Sequence, residues 1–468
     1  MKKNDKIIIL GGLLIAYAIL SWFASGGVYN NGVFTSSGIV RLGIFDLFID
    51  VCQAFYVKAV DIFYILSIGG FYGFASRTKA YRKIVTKFSD FIAGKENVAL
   101  LVITLLMGIY TSLTNNILSL LFITPFIITV FLRRGCDRLT CISAAFGGLF
   151  IGFFGQTFGT YGYNNLLTAA SIGVKDGIVI KIFMFIVTYI IYNAFAIYHM
   201  NHRVKNSEYA KFDMFPISEV DESKVKPSLR KKVWPTIVLF SLGIIVILLA
   251  YINWSTSFNV TIFNTALSKV QEFELFDTTV LSSFLGNFTA FGNWDIIGIT
   301  FILVLFTIFM AIGDKISIND VIESYGVGIR RISKVAFIYV LVYSLFMAYI
   351  GSNWPMFIIK WLLGTDFNIW GVFFGSILQS AFVVDLEYST YYIGTAISTN
   401  FVDNLLDSAL LIHMGYAVTN VVAPTSGILM IALSYLNVPY SKWFKYIWKF
   451  VAVMAFLCLI VIAFNAYV

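Results

Sequence analysis

The sequence predicts an all-α polytopic membrane protein, and three observations carry that prediction. Hydrophobic residues make up 59% and charged residues 12% of the 468, where a soluble chain holds about 45–50% and about 25%. Mean hydropathy is +0.84. The apolar residues fall in continuous runs of span length, roughly 17–25 residues, not in the alternation of a transmembrane β-barrel. Lipid offers no hydrogen bonds to a bare backbone, so such runs cross as helices. A water-soluble enzyme, a disordered chain and a collagen-like chain are all excluded.

The runs lie near 7–24, 57–76, 140–160, 178–200, 234–252, 295–313, 335–351, 405–434 and 446–466, which makes about nine full spans. The first follows the basic start from Met1 to Lys6. At about 18 residues it is longer than the h-region of a signal peptide, so it is expected to be a retained span. Two further apolar stretches are interrupted: 97–132 by Thr114-Asn115-Asn116, and 367–402 by Asp385-Leu386-Glu387-Tyr388-Ser389. Each reads either as two spans or as one re-entrant helical hairpin. Both options use an even number of crossings and leave the remaining topology unchanged.

Charge sets the orientation. Segments 1–6, 77–96, 133–138, 201–233, 314–334 and 436–449 hold all of the 33 Lys and Arg except Arg41, Lys58, Lys175, Lys181, Lys269 and Lys360. The positive-inside rule then places the N-terminus in the cytoplasm and, with nine spans, the C-terminus outside. The net charge of +8 marks that face of a multi-pass protein of the inner (cytoplasmic) membrane, and no nucleic-acid partner is expected. The polar stretch 201–233 reads as a cytoplasmic linker between an N-terminal half, 1–200, and a C-terminal half, 234–468. The halves echo each other in coarse order, each with an interrupted hydrophobic segment, which is the pattern of a secondary transporter.

Irregular backbone at membrane depth survives only where it is buried in protein or lines a cavity, so the interruptions are the candidate sites. They are Ser112–Asn116, the Gly-rich stretch Gly155–Tyr163 with Gln156 and Thr157, the acidic tip from Asp385 through Glu387 to Ser389, and Asn420–Gly427 around Pro424. Pro424 removes a backbone donor in mid-span. Ionisable groups at depth default to function, whereas the same Asp385 and Glu387 in an external loop are ordinary solvated charges. Polar and glycine clusters between apolar runs are also plain loops in many chains. His413 lies inside an apolar run and suits either a proton relay or, as the preferred reading, a hydrogen-bonded packing role. The four cysteines and three histidines have no metal-ligand or disulfide spacing, and no catalytic constellation or metal site is expected.

The stretch Asn420-Val-Val-Ala-Pro-Thr-Ser-Gly-Ile-Leu-Met430, followed by Leu436-Asn-Val-Pro-Tyr-Ser-Lys-Trp-Phe-Lys445, resembles the YfcC-like branch of the ion transporter superfamily. Weaker matches are Ile68-Gly-Gly-Phe71 with Thr78, Gly135-Cys-Asp137, and the amphipathic stretch Asp314–Arg331. The resemblance implies a secondary active carrier with two inverted repeats, two re-entrant helical hairpins and often a homodimeric scaffold. Its relatives are anaerobic dicarboxylate carriers, arginine–ornithine antiporters and, more distantly, aminobenzoyl-glutamate transporters. Carried over by position, Asn420, Pro424, Thr425 and Ser426 match the family's broken helix. The chain departs where relatives commonly show a Glu pair, reading Asn115-Asn116, and where they show a Ser-rich tip, reading Asp385 to Thr390. Tyr416 stands where an Asp is expected.

The function read from the sequence is therefore secondary active transport of a small charged organic solute, an amino acid or a carboxylate, by ion-coupled symport or exchange. Thr114, Asn115, Asn116, Gln156, Thr157, Asp385, Glu387, Ser389, Asn420, Pro424, Thr425 and Ser426 are the expected solute or ion contacts. No cofactor is expected beyond a coupling sodium ion or proton, and no partner beyond solute, bilayer and a second copy. An ion channel or a non-transporting scaffold or receptor is the alternative. A channel would use a ring of charge about a symmetry axis, which two unlike halves do not offer.

Overall fold

A computed structural model describes residues 5–30, 33–159, 163–202, 213–217, 234–273, 280–286, 288–355, 357–358, 367–383, 385, 393, 397 and 401–467. The molecule is mainly helical. Every predicted span contains a helix: α1 (Asp5–Ser21), α3 (Ala59–Ala75), α8 (Arg138–Phe154), α10 (Ile178–Asn201), α11 (Trp234–Tyr251), α15 (Ile296–Gly313), α16 (Ile318–Ile350), the pair α18 (Leu405–Val422) and α19 (Gly427–Tyr435), and α20 (Tyr440–Tyr467). Between them lie α2 (Ile44–Val57), α4 (Lys79–Phe91), α5 (Glu96–Thr114), α6 (Ile117–Leu120), α7 (Thr124–Arg133), α9 (Tyr163–Ala169), the short α12 (Trp254–Phe258), α13 (Ile262–Gln271) and α14 (Val280–Leu285), and α17 (Ile369–Phe382). Among the described residues, six helices are long and apolar enough to cross a membrane, or up to seven if the bent pair α2–α3 is one span. The chain is a multi-pass membrane protein.

The caps explain where helices begin. Thr78, Asp137, Ser317 and Ser426 each accept a hydrogen bond from the backbone N–H three residues on, at the starts of α4, α8, α16 and α19. Such side chains satisfy donors that an N-terminal turn leaves orphaned.

Two features add to the sequence reading. Within a mainly helical chain that fits the all-α class, β1 (Ser25–Asn30) and β2 (Val33–Ile39) pair antiparallel after α1. The Asn353 amide donates to the carbonyls of Ala24 (3.3 Å) and Gly38 (2.7 Å), clipping this hairpin to the far end of α16. The amphipathic stretch 314–334 and the span 335–351 are also not separate, since α16 runs unbroken for 33 residues. Its buried positions Val321, Ser324, Gly328, Ile332 and Val335 recur every three or four residues through the polar part and into the apolar part. One helical face is thus continuous, with no proline to end it.

That face packs on α3 through glycines. A Cβ on Gly328 would strike the Gly69 carbonyl, and one on Gly73 would lie 2.5 Å from the Gly328 Cα. The α5–α8 pair repeats the device, with a Cβ on Gly148 meeting the Thr104 carbonyl at 2.8 Å. Small residues let helix backbones approach closely where lipid supplies no hydrophobic drive between helices.

Of the polar stretch 201–233, residues 201–202 and 213–217 are described. Phe215 is buried, its ring stacked 5.9 Å from that of Tyr72 and tilted 6.3 Å from that of Tyr435. Asp213 accepts hydrogen bonds from the Thr129 hydroxyl and the Phe215 N–H, and Arg331 donates to the Met214 carbonyl.

Candidate functional site

Two helix breaks meet inside the bundle. The first follows α5, where Asn115 takes a left-handed conformation (φ 53°), a region that asparagine tolerates better than most residues. Asn116 then caps α6, its side chain accepting from the Ser119 N–H. The second lies between α18 and α19, where Ala423 turns extended ahead of Pro424. Ser426 restarts the helix, and its hydroxyl also donates to Asn420 Oδ1 at 3.1 Å. Thr425 donates to the Ala381 carbonyl of α17 at 3.0 Å.

A cavity of about 330 Å³ lies between the breaks. Of the sequence-predicted residues, Asn115, Asn116, Gln156, Asp385 and Asn420 line it. Thr425 lines a separate pocket of about 30 Å³ that shares Tyr343, Asp385 and Gly427 with the larger cavity. Thr114, Thr157, Pro424 and Ser426 do not line the main cavity but shape its walls. The Thr114 hydroxyl accepts the Asn116 N–H, and Thr157 pairs with Ser112 through backbone and hydroxyl contacts, joining the end of α8 to the end of α5. Glu387 and Ser389 lie outside the described residues.

The cavity's charge comes mostly from residues that the sequence did not single out. Lys58 sits at the 66° bend between α2 and α3, its ammonium 3.6 Å from Asp61 Oδ2 and 4.3 Å from the centroid of the Tyr343 ring. Tyr339 donates to the same Asp61 oxygen at 2.9 Å, and Tyr343 donates to Asp385 Oδ2 at 3.4 Å. With Asp295, which caps the start of α15, the described lining holds three carboxylates and one ammonium. Tyr416 is also on the wall.

Two lining side chains are polar and unsatisfied. Gln156 is 1% exposed, and neither atom of its amide has a partner among the described residues. His413, read from the sequence as a packing residue, is on the wall with Nε2 2.6 Å from the Phe153 carbonyl and its ring 4.2 Å from that of Tyr163. Its Nδ1 has no partner among the described residues. A buried amide left unpaired costs about 1–3 kcal/mol, a cost that a bound ligand would remove. Among the described residues, no group of three or more His, Cys, Asp or Glu is placed to hold a metal ion, and the four cysteines are free.

A helical membrane bundle with two broken helices facing one polar cavity is the architecture of a membrane transporter. The family model of the C4-dicarboxylate anaerobic carrier, DcuC, matches residues 4–348 and 409–467, and the chain belongs to that family. No curated protein matches the chain. Among solved structures, the YdaH transporter of Alcanivorax borkumensis, described as having an unusual topology, is similar at 13% identity. The match covers 99% of this chain and 97% of that one, with a TM-score of 0.38. MtrF of Neisseria gonorrhoeae, described within a class of antimetabolite efflux pumps, is similar at 15% identity over 98% and 94%, with a TM-score of 0.34.

Proposed function

We propose that this transporter is a secondary active carrier of a small solute bearing an amino group, an amino acid above all, moved across the cytoplasmic membrane by symport or exchange. The observation that carries this reading is the convergence of Asn115, Gln156, Asp385 and Asn420, from breaks far apart in the chain, on one cavity. Three carboxylates against one ammonium favour a cationic group on the solute. Gly427 and Ile428 put the start of α19 on the same wall, where orphaned N–H groups and the helix dipole suit a carboxylate. The amides of Asn115, Gln156 and Asn420 supply neutral donors and acceptors.

A zwitterion fits that distribution better than a dianion does. A C4-dicarboxylate is the second reading, favoured by the family's description and by Lys58. Asp385, however, lies in 349–408, the stretch that the family model leaves unmatched, so one of the cavity's three described carboxylates stands outside the family match while Asp61 and Asp295 stand within it. In this reading the two halves are inverted repeats about the linker, the interrupted stretches 97–132 and 367–402 are re-entrant hairpins, the N-terminus is cytoplasmic, and the carrier works as a homodimer. Uptake of labelled amino acids and C4-dicarboxylates into proteoliposomes, under imposed sodium or proton gradients and in exchange mode, tests it. Amino-acid uptake is expected. Uptake of dicarboxylates alone would select the second reading, and transport of neither class would overturn both.

A further inference from the structure

The Lys58 ammonium has an oxygen-rich neighbourhood. Asp61 approaches to 3.6 Å, and Tyr339 is hydrogen-bonded to that same carboxylate. Tyr343 lies beneath the ammonium and carries Asp385 on its hydroxyl. Asn115 and Asn116 close the same cavity. Two carboxylates, two phenols and two amides are hard ligands of the kind that hold a dehydrated small cation, and in transporters such sets sit beside helix breaks near the midplane. Here a covalently attached cation already stands among them. The Gln156 amide on the same wall has no partner among the described residues, which leaves it available to a ligand besides Lys58.

We propose that Lys58 is a tethered cation occupying the place of a free coupling cation between Asp61 and Asp385, so that the folded state and the solute site of this chain need no sodium. This rests on the carrier reading given above. A second positive charge entering the same oxygens would be repelled by the ammonium. Removing the ammonium while keeping the chain length should open an alkali-cation site made of the same two carboxylates.

The test is thermal unfolding of the purified full-length protein in sodium chloride against choline chloride at equal ionic strength. The wild type should unfold at the same temperature in both salts. Lys58→Met should show a sodium-specific rise in Tm that saturates with concentration, as a ligand of the folded state produces. Adding Asp385→Asn should reduce or abolish the response, while Lys58→Arg, which keeps a tethered cation, should stay indifferent. Lys58→Met that folds only in sodium would also support the proposal. A sodium-specific rise in the wild type or in Lys58→Arg would overturn it, as would a Lys58→Met protein that is folded but indifferent, or unfolded in both salts. The readout needs no transport, so failure of solute uptake with these responses intact would count against the carrier reading alone.

Discussion

The ammonium of Lys58 rests 4.3 Å from the centre of the Tyr343 ring, while the hydroxyl of that ring donates to Asp385. One tyrosine thus relays between the bend that joins α2 to α3 and the acidic residue beyond α17. Cation–π contacts of this kind gain when desolvated, and a hydrogen bond to a charged acceptor is worth about 1.5–3 kcal/mol.

Asp385→Asn should lower solute uptake about 10- to 100-fold at unchanged expression, because it removes the charge and leaves only a neutral acceptor for the Tyr343 hydroxyl. Tyr343→Phe keeps the ring under Lys58 and loses only the hydroxyl, so its defect should be milder, about 2- to 10-fold. Initial rates in proteoliposomes, normalised to reconstituted protein, distinguish the two. Equal rates for wild type and Asp385→Asn would remove Asp385 from the site.

Gln156 makes a prediction of opposite sign for stability and function. Its amide is buried and has no partner among the described residues, so Gln156→Leu should leave Tm unchanged or raised, since it relieves an unmet desolvation cost. The same variant should raise the KM of transport about tenfold, as expected if a buried hydrogen bond to solute is lost. A fall in Tm with unchanged KM would make Gln156 a packing residue.

The glycine contact between α3 and α16 should be intolerant of a single methyl group. Gly328→Ala would strike the Gly69 carbonyl, whereas Gly326, two residues earlier on the same helix, has nothing within 4 Å of its Cβ position. Overpacking of this sort costs about 1–3 kcal/mol or more. Gly326→Ala should therefore behave as wild type on size exclusion and in thermal unfolding, while Gly328→Ala loses yield and Tm.

The segment 213–217 should dock more firmly as pH falls. Burial pushes the Asp213 carboxyl up from its ordinary 3.8 to about 6, against the hydrogen bonds from Thr129 and the backbone and the nearby charge of Arg331. A carboxyl whose docked pKa is raised favours docking below the undocked value and loses that contribution as pH rises to about 6. Between pH 7 and pH 5 the docking equilibrium should shift by about tenfold. Hydrogen exchange of the 213–217 amides, corrected for intrinsic rates, reads this directly. Asp213→Asn should remove the pH dependence, and pH-independent protection in the wild type would contradict it.

Local chemistry made both helix breaks legible in the sequence. Asn115-Asn116 and Pro424 interrupt apolar runs by their own backbone preferences, and the structure breaks the helices there. The strand pair 25–30 and 33–39 was not anticipated although Asn31-Gly32 between β-prone runs is a turn signal in the sequence, because both runs are too short and too polar to stand out beside the spans. Lys58 stands in the sequence only as one of six basic residues outside the cytoplasmic segments, and Asp61 lies within the apolar run 57–76. Their partners Tyr339 and Tyr343 stand on α16, hundreds of residues away, and no spacing rule connects them. The continuity of α16 was hidden by a change in composition at Lys334 that alters polarity without altering the helical period. Composition and the positive-inside pattern gave the membrane class, but the cavity's charge arises only when distant helices pack.

The most direct test of the cavity as the solute site is protection of a cysteine placed within it. Asn116→Cys, in a protein whose exposed Cys52 is replaced by Ser, would be alkylated in proteoliposomes with and without transported solute. Labelling of Cys at 116 should slow as the solute saturates transport, with the same half-maximal concentration, while a control cysteine at Gly326 should be unaffected. Equal labelling at position 116 with and without saturating solute would contradict the assignment.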